Sequence, residues 1–77
     1  DRRHDLVKAL NMRAEESRIA VRTIREEIWK DIQEKEQAGE ISEDDKFYGK
    51  DELQKIIDEA NNTLEATFEK KEKEVMG

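Results

Sequence analysis

Three arginines in the first half of the sequence have the spacing of a phosphate-binding surface. Arg18, Arg22 and Arg25 are four and three residues apart within the segment SRIAVRTIRE. Side chains at these intervals lie on one side of an α-helix, within about 60° of one another. Guanidinium groups bind phosphate oxygens through paired hydrogen bonds and also stack on nucleobases, which lysine does poorly. The pattern therefore indicates recognition of a nucleic-acid backbone.

A structural explanation of the same arginines competes with this functional one. Glu15 and Glu26 lie three or four residues from them and can form ion pairs on an exposed helix face. Such pairs contribute roughly a few tenths of a kcal/mol each. In favour of the functional explanation, Arg2 and Arg3 lie at the start of the same predicted helix and would add contacts to an RNA backbone. A rigid rod also suits the shape-based recognition of helical RNA. Spacing alone leaves both explanations open.

The composition is that of a small helical domain or part of one. The 77 residues are 47% charged and 34% hydrophobic, without proline or cysteine. Few helix breakers and many Glu, Lys, Arg, Ala and Leu residues favour long helices. The lack of cysteine excludes disulfides and thiolate metal sites, and no apolar run approaches the roughly 18–20 residues of a membrane span.

Charge is distributed unevenly along the chain, whose formal net charge is −6. Residues 1–38 contain nine basic and nine acidic side chains, whereas residues 39–77 contain six and twelve. All six arginines lie in the first third of the chain. The average acidity therefore does not describe the surface that carries the arginines.

Apolar periodicity predicts a first helix over about residues 2–38. Small or apolar side chains recur three or four residues apart on one side of it: Leu6, Leu10, Ala14, Ser17, Val21, Ile24, Ile28 and Ile32. A stripe sustained over about seven turns is typical of an amphipathic helix. Met12 and Ile19 point away from this stripe, so we expect the helix to contact a second neighbour.

A turn over about residues 39–42 separates this helix from a second one over about residues 43–75. Gly39 provides a helix stop, and Ser42 with Asp45 forms a capping signature. The second stripe is interrupted by Lys71 and contains Leu53, Ile56, Ile57, Ala60, Leu64, Thr67, Phe68 and Val75. Because the connection is short, we expect the two long helices to form an antiparallel hairpin.

Two long helices bury too little apolar surface to offset the conformational entropy of folding. We therefore expect an all-α fold in which the hairpin is part of a three-helix bundle. When isolated, it would complete its core by self-association, most simply as a homodimer. The alternative is a monomeric hairpin with a few exposed apolar side chains.

Five segments in a fixed order carry a resemblance to a known family. They are DRRHDLVK, EESRIAVRTIRE, EISEDD, LQKIIDEANNTLEA and KEKEV. Together they resemble the C-terminal part of ribosome recycling factors over essentially the whole chain. In that family a small β-rich domain is inserted after the first helix of a three-helix bundle. The resemblance implies that this chain is a fragment that supplies the second and third bundle helices, without the first helix and the inserted domain.

The resemblance also implies a function. Members of the family bind the 50S ribosomal subunit after termination and, with elongation factor G, split the ribosome. Bundle arginines contact ribosomal RNA, and the matching positions are Arg3, Arg22 and Arg25, with Arg2 and Arg18 as supports. The factor itself has no active site. We therefore expect a cytoplasmic RNA-binding protein that is not an enzyme, uses no cofactor and is inactive as a fragment.

Four positions depart from the pattern of the family. Glu26 stands at an arginine position, Trp29 at a small or polar one, and Phe47 and Tyr48 at basic ones. Each change removes positive charge or adds apolar surface. These side chains are therefore expected to serve packing or a contact between copies.

The remaining residues favour neither catalysis nor metal binding. His4, the single histidine, lies in the first helical turn, where a surface position is typical. The acidic turn EISEDD lacks the pattern of a calcium loop and fits helix capping. The alternative function is a coiled-coil module that binds other proteins and has no RNA role, since the first helix has an apolar stripe and the second is acidic.

Overall fold

The computed structural model describes residues 2–77, which form two α-helices that pack against each other as an antiparallel hairpin. Helix α1 spans Arg2–Gln37 and helix α2 spans Glu43–Met76. The predicted helical hairpin is confirmed. Compared with the expected limits, α1 ends one residue earlier and α2 ends one residue later. The Cα atoms fill an elongated envelope of 58 × 15 × 9 Å, so the hairpin has two broad sides.

The turn between the helices ends α1 with a left-handed glycine. Gly39 has a φ of +79°, a conformation that costs side-chain-bearing residues energy. Its N–H donates to the Glu36 carbonyl at 3.0 Å, and the Glu40 N–H donates to the Lys35 carbonyl at 2.9 Å. These two hydrogen bonds are those of the Schellman motif, which satisfies carbonyls at a helix end.

A capping box begins α2. The Ser42 hydroxyl accepts a hydrogen bond from the Asp45 N–H at 3.0 Å, and the Asp45 carboxylate accepts one from the Ser42 N–H at 3.2 Å. Glu43 and Asp44 add negative charge at the positive end of the helix dipole. The capping signature predicted from the sequence is thereby confirmed.

The core of the hairpin is one side chain thick. Among the described residues only Ala14, Leu53 and Ile57 are buried apolar side chains. The rest of the contact consists of half-buried side chains, which include Leu10, Val21, Trp29, Ile32, Leu64, Phe68 and Val75. At the turn end the helices approach closely, because a Cβ on Gly49 would lie 3.3 Å from the Ile32 Cδ1 atom.

The apolar stripe of α1 is wider than α2 can cover. Leu6, Ile24 and Ile28 belong to the predicted stripe but remain 51%, 51% and 42% exposed. One helix neighbour covers only part of a broad stripe, and α1 turns Ala14 and Val21 toward α2 instead. Within residues 2–77, neither helix has the apolar length that a bilayer crossing requires.

Candidate nucleic-acid interface

One broad side of the hairpin carries the predicted arginine row. Arg18, Arg22 and Arg25 are exposed on α1 and line a cavity of about 220 Å³ against α2. The other lining residues are Val21 of α1 and Ile57, Asn61 and Glu65 of α2. We call this side the arginine face, defined by the three arginines with Asn61 and Glu65. The structure thus brings three of the five predicted arginines together.

The three arginines of the row differ in their partners. Arg18 lies 3.4 Å from the Glu15 carboxylate, in an ion pair whose side chains are 47% and 62% exposed. Arg22 and Arg25 form no ion pair with any residue between 2 and 77, and Glu26 does not reach them. The ion pairs expected from the sequence therefore form in part, and two guanidinium groups remain available to a ligand.

Trp29 continues the row toward the turn. Its side chain is half-buried, with the Lys50 ammonium 5.7 Å from the ring centroid. Trp29, Lys50, Leu53 and Gln54 line a smaller cavity of about 50 Å³ that shares Arg25 with the larger one. Lys50 adds a positive charge from α2 to this end of the arginine face. This contact is consistent with packing, one of the two roles expected of Trp29, and a contact between copies stays a prediction.

The other two aromatic positions that depart from the family pattern lie in the first turns of α2. Phe47 and Tyr48 are 49% and 70% exposed, and the Lys46 ammonium lies 5.2 Å from the Phe47 ring centroid. Lys46 also lies 3.6 Å from the Glu36 carboxylate across the two helices, with both side chains 23% exposed. The Lys46–Glu36 ion pair joins the two helices at the turn end, whereas Phe47 and Tyr48 remain exposed beside it.

Arg2 and Arg3 lie at the open end of the hairpin, away from the row. Arg3 lines a separate cavity with His4 and Glu72. At 1.5 Å per residue, Arg3 is about 28 Å from Arg22 along the helix. Arg2 points about 160° around α1 from Arg18. Any contact of these two arginines with a ligand would be separate from that of the row.

The opposite broad side is poor in charge over its central part, with Glu27 and Glu59 at its edges. Helical spacing places eight uncharged side chains there: Ser17, Ala20, Ile24 and Ile28 of α1, and Ile56, Ala60, Thr63 and Thr67 of α2. We call this surface the uncharged face. Ile24 and Ile56 are 51% and 60% exposed. The sequence stripes contained most of these residues, but only the packing of the two helices shows that they form one surface.

The described residues hold no cluster of three or more His, Cys, Asp or Glu side chains arranged to bind a metal ion. The acidic side chains at the turn bind neighbouring protein groups. Asp45 accepts the capping hydrogen bond from Ser42, and Glu36 faces Lys46.

Comparison with known protein families identifies the chain. Residues 1–76 match the family described as Ribosome recycling factor. The chain belongs to the ribosome recycling factor family. The Ribosome-recycling factor of Fervidobacterium nodosum is 46% identical over 76 residues, which cover 99% of this chain and 41% of that protein. The Ribosome-recycling factors of Desulfosudis oleivorans and Listeria innocua are 38% and 40% identical, with the same shares covered.

The chain spans about two fifths of the length of the curated recycling factors it matches. No solved structure matches it at a significant level. The resemblance seen in the sequence is confirmed at the level of the family.

Proposed function

We propose that this chain is the ribosome-binding hairpin of a ribosome recycling factor and that its arginine face binds RNA of the 50S ribosomal subunit. The observation that carries the proposal is the position of Arg22 and Arg25, exposed beside Arg18 and without an acidic partner among residues 2–77. Guanidinium groups so placed would bind successive phosphate oxygens. Membership of the recycling factor family supports the ribosome as the partner.

The rod shape of the hairpin fits this role. Helical RNA is recognised mainly through its shape and backbone, and a stiff 58 Å rod holds its arginines at fixed intervals. Val21 and Ile57 pack below the row and fix its position relative to α2. Arg3 and Arg2 would contact the RNA backbone at a second point, near the end of the hairpin opposite the turn.

In this proposal the hairpin binds but does not act alone. Splitting of the ribosome would require elongation factor G together with the parts of a recycling factor that this chain does not match. The hairpin supplies affinity for the ribosome and holds no reaction centre. The proposed compartment is the cytoplasm, where ribosomes work. Added to ribosomes with elongation factor G and GTP, the 77-residue chain should leave them intact in a sucrose gradient.

Co-sedimentation with 50S subunits tests the RNA-binding role. We expect Arg22→Ala with Arg25→Ala to weaken binding at least about tenfold, because two phosphate contacts are lost. The slope of log affinity against log salt should fall by about two. The matched control is Arg13→Ala, since Arg13 lies beside Leu10 on the other side of α1. Equal affinity of the double variant and the wild type would refute the assignment.

The alternative is a coiled-coil module that binds a partner helix and no RNA. The exposed Ile24 and Ile56 of the uncharged face favour it. This alternative predicts no co-sedimentation with 50S subunits and an affinity for its partner that is insensitive to salt. The same sedimentation measurement therefore decides between the two functions.

We also propose that the isolated hairpin forms a homodimer through the uncharged face. Only three apolar side chains are buried in the described hairpin, so pairing would supply the missing core. A broad side of 58 × 15 Å is close to the area of about 800 Å² that each partner of a standard interface buries. In such a dimer the two arginine faces would point outward and remain accessible to RNA.

A further inference from the structure

The cavity on the arginine face combines three kinds of surface. Arg22 and Arg25 supply positive charge at its α1 edge. Val21 and Ile57 form an apolar floor, with Ile57 only 8% exposed. The α2 edge is polar and carries an amide and a carboxylate. A phosphate alone would contact only the positive edge. A nucleotide could contact all three surfaces: its phosphate the arginines, the face of its base the apolar floor, and the edge of its base the polar groups of α2.

Asn61 is the residue of this cavity that the packing of the hairpin does not explain. Its side chain is half-buried on α2, and its amide makes no hydrogen bond to any residue in the described range. By contrast, the Gln54 amide of the same helix donates to Asp58 at 2.9 Å. The Asn61 amide therefore remains free to hydrogen-bond a ligand that enters the cavity. An asparagine amide carries both donors and an acceptor and can pair with the edge of a base.

We propose that this cavity binds one unstacked nucleotide of RNA, with its phosphate on Arg22 and Arg25 and its base edge on Asn61. The base would lie against Val21 and Ile57. The proposal deepens the RNA-binding function and rests on it. The volume of about 220 Å³ is below the roughly 300 Å³ at which small-molecule sites begin, so only part of a nucleotide, its base, would lie inside the cavity. Recognition of single unstacked bases is the usual way in which proteins read RNA sequence.

Glu65 gives the site a preference among bases. It lies one helical turn beyond Asn61 in the cavity wall and has no ion-pair partner in the part of the chain that the structure describes. An ionised carboxylate only accepts hydrogen bonds. Adenine, cytosine and guanine offer the carboxylate an exocyclic amino group, whereas uracil offers only its single N3–H donor, so we expect the site to favour the first three bases.

Fluorescence of Trp29, the only tryptophan of the chain, measures binding beside the cavity. The probes are the RNA tetranucleotides of adenylate and uridylate. We expect tetra-adenylate to bind more tightly than tetra-uridylate, and Asn61→Ala to weaken tetra-adenylate binding about tenfold. The neighbouring Asn62→Ala is the matched control, because Asn62 is exposed and outside the cavity lining. Glu65→Gln should reduce the preference over uridylate.

Each outcome separates this site from the general RNA-binding role. Alanine is a better helix former than asparagine, so Asn61→Ala should fold, which circular dichroism verifies. If Asn61→Ala binds tetra-adenylate like the wild type while Arg22→Ala with Arg25→Ala loses affinity for 50S subunits, the nucleotide site is wrong and the proposed function stands. The site is equally overturned if 50S subunits bind but neither tetranucleotide does. If the double variant keeps its 50S affinity, the proposed function fails.

Discussion

At the scale of single residues, the arginine row contains one guanidinium with an acidic partner and two without. The Arg18 guanidinium lies 3.4 Å from the Glu15 carboxylate, with both side chains well exposed. Exposed ion pairs of this kind contribute about 0–1 kcal/mol to stability. Glu15 therefore affects the charge that the row presents to a phosphate more than it affects the fold.

Replacement of Glu15 by glutamine should strengthen RNA binding with little effect on stability. We expect Glu15→Gln to raise the affinity for 50S subunits about two- to threefold at low salt, because one negative charge beside the row is removed. The melting temperature should change little, because an exposed ion pair contributes only about 0–1 kcal/mol to stability. Glu16→Gln is the control. Glu16 is also exposed, but its side chain points about 100° around α1 from that of Glu15 and so away from the arginine row. An equal gain in both variants would mean that net charge alone matters.

At the scale of elements, two backbone motifs fix the turn of the hairpin. Gly39 closes α1 in a left-handed conformation, and Ser42 with Asp45 opens α2 through a capping box. Both motifs satisfy backbone groups that a helix end leaves without partners. Because the helices are joined at this point, the turn also fixes which residue of α1 lies opposite which residue of α2.

The conformation of Gly39 predicts a stability change that comes from the backbone alone. A Cβ on Gly39 would meet no atom within 4 Å, so the cost of Gly39→Ala is that of the left-handed conformation. We expect a loss of about 1–2 kcal/mol in the free energy of unfolding. Gly39→Asn should lose less, since asparagine tolerates this region better. Urea denaturation of the three proteins at one concentration measures this, and equal midpoints would contradict the expectation.

At the scale of the whole molecule, the hairpin has two broad sides of opposite chemistry. The arginine face carries unpaired positive charge, and the uncharged face carries exposed isoleucines such as Ile24 and Ile56. The arginine face can bind an anionic partner, whereas burial of the uncharged face against an apolar partner would remove its isoleucines from water. Binding to RNA should therefore weaken with salt, while association between copies should not.

A pair of isoleucines on α1 tests which side forms the dimer. Ile24 is 51% exposed on the uncharged face, and Ile19 is 50% exposed on the outer side of α1. We expect Ile24→Lys to weaken dimerisation at least about tenfold, because a charge would be buried at the interface. Ile19→Lys should dimerise like the wild type. Sedimentation equilibrium measures both, and a wild-type monomer or equal effects of the two substitutions would rule out this interface.

The sequence by itself determined the local features of the protein. Spacing along one chain predicted the two helices, the turn at Gly39, the cap at Ser42 and the arginine row, because each depends on neighbouring residues within one element. The resemblance to recycling factors likewise lies in linear motifs. None of these features requires knowledge of how one helix sits against the other.

Only the tertiary structure decided how the two helices share their surfaces. It left Leu6 and Ile24 of the apolar stripe exposed, and it placed Asn61 and Glu65 opposite the arginines. Both results depend on the rotation of each helix about its own axis and on the register between the helices. A periodic pattern within one helix defines a stripe but not its partner. For that reason the cavity on the arginine face emerged only when α1 and α2 were packed together.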